Sequence, residues 1–140
     1  GDQRRSRSAA QNIIPNANAS AACVEQLLPR FAGRLSGCAL NVPVQRGSLL
    51  DLNCVLREVA NAEAINDVIR AAAAARPRMI AVAEDPIVSS DVIGCRQTLL
   101  FDARGTQRAG SRMVKTLAWY ETLGHACRVL DVVRTYAALA

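Results

Sequence analysis

Apolar and polar residues alternate in two recognisable ways near the end of the chain. Met113–Tyr120 is rich in β-forming and apolar residues, which predicts a strand. After a short break at Glu121–Leu123, apolar residues recur at the i, i+3, i+4, i+7 spacing of a helix. Six of them share one side of that helix: Ala126, Val129, Leu130, Val133, Tyr136 and Ala137. The other side is polar: Arg128, Asp131, Arg134 and Thr135.

The preceding residues divide into short strands and two further helices. We predict strands at these ranges: Gln11–Ile14, Cys38–Val44, Ser48–Leu56, Met79–Ala83, Ile87–Val92 and Thr98–Asp102. Helices are expected at Ala19–Leu28 and Asn61–Ala75, each ended by a following proline. Arg104–Gly110 is expected to be a polar hairpin connection. About seven strands and three helices predict an α+β fold, a mostly antiparallel mixed sheet with helices on one face.

The helix expected at Asn61–Ala75 has the clearest boundaries. Asn61 is a favourable N-cap residue, and Glu63 places a negative charge in the first turn. One apolar stripe follows from the spacing: Ile65, Val68, Ile69 and Ala72. This helix is therefore expected to pack through that stripe on the sheet.

Composition narrows the class of protein. The 140 residues are 51% hydrophobic and 21% charged, which is typical of a globular domain with a real core, and no apolar run is long enough to span a membrane. The net charge is +5, but the arginines are spread along the chain and aromatic residues make up 4%, so we expect no nucleic-acid interface. The first residues are basic without an apolar run and lack a Met. They suggest a trimmed part of a longer protein without a signal peptide.

Few residues indicate chemistry. Five cysteines show no CxxC spacing, and their odd number indicates reduced thiols in the cytoplasm, each a small buried apolar residue. The single histidine, His125, lies two residues from Cys127, which places the two on different sides of a helix. There is no glycine-rich phosphate loop and no GxGxxG motif. We therefore predict no catalytic residue and no metal ligand in this chain.

Several segments, in this order, resemble a known family. They are RRSRSAAQNIIP (Arg4–Pro15), Val42–Pro43, EDPIVSSD (Glu84–Asp91), FDA (Phe101–Ala103), and VKTLAWY followed by CRVLDVV (Val114–Val133). Together they resemble the C-terminal part of the catalytic domain of phosphorylating glyceraldehyde-3-phosphate dehydrogenase and of its relative erythrose-4-phosphate dehydrogenase. The resemblance covers essentially the whole chain, so residues 1–140 are expected to be one C-terminal catalytic-domain portion.

The resemblance implies where the missing parts of an enzyme would lie. In the family, the catalytic cysteine, its histidine and the dinucleotide-binding domain all precede the segment that here begins at Arg4. NAD or NADP is the implied cofactor, and a phosphorylated sugar aldehyde is the implied substrate, but this chain alone is expected to be inactive and not to bind the cofactor. The family also forms tetramers, so a homo-oligomer is expected.

Three ligand positions of the family are altered here. A Thr-Gly pair that binds phosphate at a helix N-terminus corresponds to Asn18 and Ala19, and an arginine that binds the substrate phosphate corresponds to Asn41. Loss of one charged phosphate contact costs about 1.5–3 kcal/mol, or roughly ten- to a hundredfold in affinity. Arg46, close to Asn41 in the sequence, is a candidate to compensate. An asparagine that holds the nicotinamide amide corresponds to Thr122, in a loop one residue shorter than the family's.

Two hypotheses remain open at this point. The first is that the chain belongs to a dehydrogenase that oxidises an aldehyde with NAD or NADP and has an altered substrate site. The second is that it belongs to a non-catalytic paralogue that serves in oligomer assembly or regulation. In the family the last helix packs against the nucleotide domain. Without that domain, the apolar side of the helix is expected to be buried in an oligomer contact or to dock onto its own sheet.

Overall fold

The computed structural model describes residues 3–139, which form two compact units. The first unit comprises the described residues up to Gln45, and the second begins at Arg46. Together they contain three α-helices and six strands within the described residues, and this α+β fold class agrees with the sequence-based prediction.

The first unit is a two-stranded antiparallel sheet with one α-helix. Its strands are β1, Ile14–Ala17, and β2, Cys38–Asn41, and the helix α1 is Ser20–Leu27. Short 3-10 helices occupy Gln3–Ser6 and Pro29–Phe31. The predicted strand Gln11–Ile14 is wrong in its bounds. Strand pairing begins at Ile14 and continues to Ala17. Because Pro15 lacks an N–H but keeps its carbonyl, it can lie in a two-stranded sheet that is edge on both sides.

The second unit contains a four-stranded mixed sheet. Its elements are β3, Ser48–Val55; α2, Ala62–Ala75; β4, Ile80–Ala83; β5, Leu99–Ala109; β6, Met113–Tyr120; and α3, Thr122–Ala137. The strand order is β3-β6-β5-β4, with β4 and β5 parallel and the other neighbours antiparallel. The parallel pair is joined by a long crossover, whereas β5 and β6 form a hairpin.

The core of the second unit lies on the central strands. Phe101 of β5 and Ala118 of β6 are directly paired and both are buried, as cross-strand partners on one face should be. Val114 and Ala103 are also buried. Helix α2 packs against β4 and β5. The edge strand β3, by contrast, leaves several apolar side chains exposed: Leu49, Leu50, Leu52 and Val55.

Strand β5 is longer than predicted because it contains a bulge. It advances from Asp102 to Gln107 while β6 advances only from Leu117 to Lys115. The Asp102 carboxylate accepts backbone N–H bonds from Arg104 (3.1 Å) and Gly105 (3.0 Å), which holds the extra residues. A Cβ at Gly105 would lie 2.8 Å from the Leu117 side chain, so only glycine fits there. The expected connection Arg104–Gly110 is therefore wrong for all but its last residue.

The predicted strand Ile87–Val92 is also wrong. Ser89–Val92 is a 3-10 helix. The Asp91 carboxylate accepts the backbone N–H of Val88 at 2.8 Å, a local bond that competes with strand pairing. The turn directs Val92 inward, where its side chain is fully buried.

Helix α2 follows its sequence signals closely. The Asn61 side chain accepts the N–H of Ala64 at 2.7 Å, as the N-cap prediction requires. One position of the predicted stripe is wrong, because Val68 is exposed and Asn66 is buried instead. Asn66 donates to the Ala103 carbonyl (3.0 Å) and accepts the Thr106 hydroxyl (2.7 Å), so its polar atoms are satisfied inside.

Helix α3 contacts the unit through its polar side. Arg128 and Asp131 are about one-fifth and one-quarter exposed in their side chains, and Gly124 is buried against the backbone of Gln97. The predicted apolar side is exposed throughout: Ala126, Val129, Leu130, Val133, Tyr136 and Ala137. The prediction that this side docks onto the chain's own sheet is therefore wrong. Burial in an oligomer contact stays a prediction.

Among residues 3–139, no helix combines the length and apolarity that a membrane crossing needs.

Candidate functional site

The two residues of the altered phosphate-binding pair precede α1. Asn18 and Ala19 are both exposed. The Asn18 carboxamide oxygen accepts the backbone N–H of Ser20 at 2.6 Å, so this N–H of the first helical turn is already bonded. Ala19 is the N-cap residue and offers no side-chain cap. What remains for an anion is the side-chain amide of Asn18 and the other N–H groups of the first turn.

Asn41 lies at the other end of the same small sheet. It is the last residue of β2 and is paired with Ile14, the first residue of β1, whereas Asn18 follows the last residue of β1. A strand rises about 3.4 Å per residue, and Asn18 lies four residues beyond Ile14, so Asn41 and Asn18 are separated by roughly 14 Å along the strand direction. The structure does not bring these two side chains into direct contact. Asn41 is exposed, and its neutral amide lacks the charge and the fork of donors that an arginine supplies.

Thr122 is the first residue of α3 and is exposed, with no hydrogen bond from its hydroxyl to any residue in the described part of the chain. The residue before it carries the stronger local interactions. Glu121 is buried, and its carboxylate caps the helix by accepting the Leu123 N–H at 3.0 Å. The same carboxylate forms an ion pair with Arg46. These interactions fix the point at which the chain turns from β6 into α3.

The environment of Glu121 favours its charged form. The backbone N–H of Leu123 lowers the pKa of Glu121 most, and the hydrogen bond from Arg46 lowers this pKa further. Arg46, which sequence reasoning considered as a substitute for the lost arginine, is thus engaged with Glu121 in the second unit. No role was predicted for Glu121 from the sequence. Its negative charge in the break before a predicted helix was the available signal, since the helix dipole favours negative charge near a helix N-terminus.

A second carboxylate is held by the sheet. Asp102 is buried, and besides its two backbone bonds it accepts the indole N–H of Trp119 at 3.3 Å. This carboxylate therefore completes the bulge in β5 and ties it to β6. With three donors around it and no second carboxylate in contact, Asp102 has a structural role that accounts for its burial.

The cysteines are less buried than predicted. Cys23 and Cys38 are exposed, and the other three are half-buried, so the expectation of small buried apolar residues is wrong. The physical reason is the small size of the elements that carry the two exposed thiols, an eight-residue helix and an edge strand. All five thiols are free, and residues 3–139 contain no group of three or more His, Cys, Asp or Glu side chains that could hold a metal ion.

The geometry thus defines an α+β domain that carries polar ligand positions but assembles no acid–base or nucleophilic set within its described residues. Comparison with known proteins identifies the family of this domain. A family model described as the C-terminal domain of glyceraldehyde 3-phosphate dehydrogenase matches residues 1–122. The chain belongs to this family, as its ordered segments predicted.

Individual relatives cover the chain almost completely. The glyceraldehyde-3-phosphate dehydrogenase of Clostridium acetobutylicum is 39% identical, over 100% of this chain and 42% of its own length. That of Kitasatospora aureofaciens is 37% identical, over 98% of this chain and 42% of its own length. That of Schistosoma mansoni is 36% identical, over 93% of this chain and 39% of its own length. The chain therefore spans about two-fifths of the length of these relatives.

Proposed function

We propose that this chain is the C-terminal part of the catalytic domain of an oxidoreductase that oxidises an aldehyde with NAD or NADP. The nucleophilic cysteine, its histidine and the nucleotide-binding domain are supplied by polypeptide outside these 140 residues. The chain on its own neither catalyses the reaction nor binds the cofactor. The observation that carries this proposal is the family match, which includes every strand of the fold and reaches the first residue of α3.

The structure of α3 supports a chain that is completed by further protein. The helix begins at a fixed point, capped by Glu121, yet its apolar side is exposed along its whole length. An apolar helix side of this kind is expected to be covered in the functional protein. In this proposal the cover is the remainder of the enzyme or a neighbouring subunit of a homo-oligomer in the cytoplasm.

The altered ligand positions indicate a changed substrate site. We assign Asn18, Ala19 and Asn41 to the substrate phosphate and Thr122 to the cofactor amide. Asn41 offers hydrogen bonds where an arginine would offer a charge, so binding of a phosphorylated sugar aldehyde is weakened roughly ten- to a hundredfold relative to an arginine at this position. The proposed enzyme therefore favours an aldehyde with less negative charge, or works at higher substrate concentration.

The test uses the whole natural protein and the 140-residue chain in parallel. Each is assayed, with inorganic phosphate present as the acyl acceptor, for reduction of NAD and of NADP with glyceraldehyde 3-phosphate and with unphosphorylated glyceraldehyde. The proposal expects turnover by the whole protein and none by the chain alone. Absence of turnover with either cofactor and either aldehyde would overturn it.

A substitution at Asn41 tests whether this residue contacts the substrate phosphate. Asn41→Arg in the whole protein should lower KM for the phosphorylated aldehyde roughly tenfold while leaving KM for glyceraldehyde unchanged. Val59→Arg adds the same charge at an exposed loop position and serves as the matched control. An equal effect of both variants would show that Asn41 does not face the substrate phosphate.

A non-catalytic role in assembly or regulation is the second candidate. The observation that favours it is the exposure of Leu49, Leu50 and Leu52 on the edge strand β3, a surface suited to another protein. It predicts a stable oligomer together with no binding of NAD or NADP by the whole protein. Equilibrium dialysis with each cofactor separates this role from the dehydrogenase.

A further inference from the structure

A cleft in the second unit collects arginines that are distant in the sequence. It has a volume of about 490 Å³ and lies between α3, the turn at Pro77–Arg78 and the segment Arg96–Gln97. Four arginines line it: Arg78, Arg96, Arg128 and Arg134. None of its lining residues is among those at which the resemblance places family ligand contacts.

Positive charge in the cleft exceeds negative charge. The only acidic side chain among its described lining residues is Asp131. Its carboxylate contacts Arg128 at 3.0 Å, Arg78 at 3.5 Å and Arg134 at 3.6 Å, so one negative charge is shared by three guanidiniums. Arg96 forms no ion pair with any residue from 3 to 139. The cleft therefore keeps a surplus of three positive charges and many unused N–H donors.

One of the four arginines is held in place before any ligand arrives. Arg128 donates to the Arg78 carbonyl and pairs with Asp131, and its side chain is only 20% exposed. Its buried Nε has no acceptor within the described residues. Arg78 and Arg134 are about three-quarters exposed, so they can move toward a ligand. A fixed guanidinium flanked by mobile ones suits an anion that enters from solvent.

The remaining lining is apolar or weakly polar. Leu123, Cys127 and Leu130 of α3 and Pro77 contribute carbon and sulfur surface to the same cleft. A volume of about 490 Å³ falls within the range of small-molecule pockets, roughly 300–1,000 Å³. We infer that the cleft binds a small molecule that combines a phosphate group with an apolar part. This inference is independent of the proposed dehydrogenase activity.

Phosphate is favoured over an acidic protein segment by the shape of the site. Arginine forks match the paired oxygens of a phosphate, and four arginines line one cleft whose volume of about 490 Å³ suits a small molecule. An acidic peptide would need contacts over a longer surface. Stronger binding of an acidic peptide would therefore contradict the inference.

The experiment uses Cys127 as a reporter inside the cleft. The whole natural protein is alkylated with iodoacetamide, and the cysteines of this chain are quantified by peptide mass spectrometry, with the exposed Cys23 and Cys38 as internal references. Phenyl phosphate is the probe, and inorganic phosphate, phenol and an oligoglutamate peptide are compared with it at equal concentration. We expect phenyl phosphate to slow alkylation of Cys127 severalfold more than any of the others, without changing Cys23 or Cys38.

Charge-matched variants assign the effect to the cleft. Arg78→Gln combined with Arg96→Gln removes two exposed cleft arginines, and protection should then require roughly a hundredfold more phenyl phosphate. Arg57→Gln combined with Arg108→Gln removes two exposed arginines at the opposite end of the sheet and should leave protection unchanged.

Four results would overturn the inference. They are equal protection by phenyl phosphate and inorganic phosphate, stronger protection by oligoglutamate, loss of protection in both double variants, and no protection of Cys127 by any probe. Thermal unfolding of both variants checks that they remain folded, which is expected because all four substituted side chains are exposed.

Discussion

Helices α2 and α3 lie in the same unit and carry similar amphipathic patterns, yet they contact the rest of the unit in opposite ways. Helix α2 packs on β4 and β5 and buries Asn66 with its partners satisfied. Helix α3 rests on Gly124, Arg128 and Asp131 and leaves its apolar side exposed. An amphipathic pattern thus predicts that a helix side needs cover, but the cover need not come from the same chain.

The largest expected effect concerns the interior contact of α2. Asn66→Leu removes a donor to the Ala103 carbonyl and an acceptor for the Thr106 hydroxyl, which leaves two polar groups unpaired in a buried site. The free energy of unfolding should fall by about 3 kcal/mol. Urea denaturation measures this change.

The control is Val68→Leu on the exposed side of the same helix, which should change stability by less than about 0.5 kcal/mol. If the two substitutions were equivalent, the polar contact would not anchor α2.

The next effect concerns the docking of α3. A Cβ at Gly124 would lie 2.1 Å from the Gln97 carbonyl oxygen, so Gly124→Ala must displace the start of the helix. We expect a loss of about 2 kcal/mol, as for other overpacked sites. Thermal unfolding measures this loss. The control is Gly37→Ala, where a Cβ meets nothing within 4 Å, and the stability of this variant should be close to that of the unmodified chain. A neutral Gly124→Ala would mean that α3 is not seated there.

A smaller effect follows from the cap of α3. The lowered pKa of Glu121 means that its carboxyl binds a proton more weakly in the folded chain than in the unfolded one. Its stabilisation is therefore fully present above pH 4.5 and is lost as the pH falls through the lowered pKa. Glu121→Gln should reduce stability at neutral pH, and the difference from the unmodified chain should vanish in acid.

Denaturation curves across this pH range provide the measurement, with the exposed Glu58→Gln as control. A difference between the Glu121 variant and the unmodified chain that stays constant down to low pH would contradict a role for the charge.

The smallest effect is expected on the exposed side of α3. Val133 is 57% exposed, so Val133→Asp should change the stability of the dilute chain by less than about 0.5 kcal/mol. If that side is covered in an oligomer, the same variant should shift the whole protein toward smaller species in analytical ultracentrifugation. Thr135→Asp, on the polar side of the helix, is the matched control.

The sequence was most informative where one local signal decides the structure. The cap at Asn61 and the following proline at Pro77 delimit α2 within a residue, and β6 matches its predicted bounds. Local signals misled where a side chain forms a contact distant in the sequence. Val68 was expected in the core, but Asn66 lies there because the Ala103 carbonyl needs a donor.

The candidate site was less predictable than the fold. The resemblance identified its positions, but the pairing of Asn41 with Ile14 and the engagement of Arg46 by Glu121 depend on register and tertiary contact. The arginines of the cleft appear scattered in sequence, because the turn before β4 and the segment before β5 approach α3 only after folding.

We propose that α2 is completed within this chain whereas α3 is completed by protein outside it. Amide hydrogen exchange tests it most directly, in the dilute 140-residue chain and in the whole natural protein. We expect amides of α2 to be protected in both samples, and amides of α3 beyond its first turn to be protected only in the whole protein. Equal protection of α2 and α3 in the dilute chain would contradict the claim.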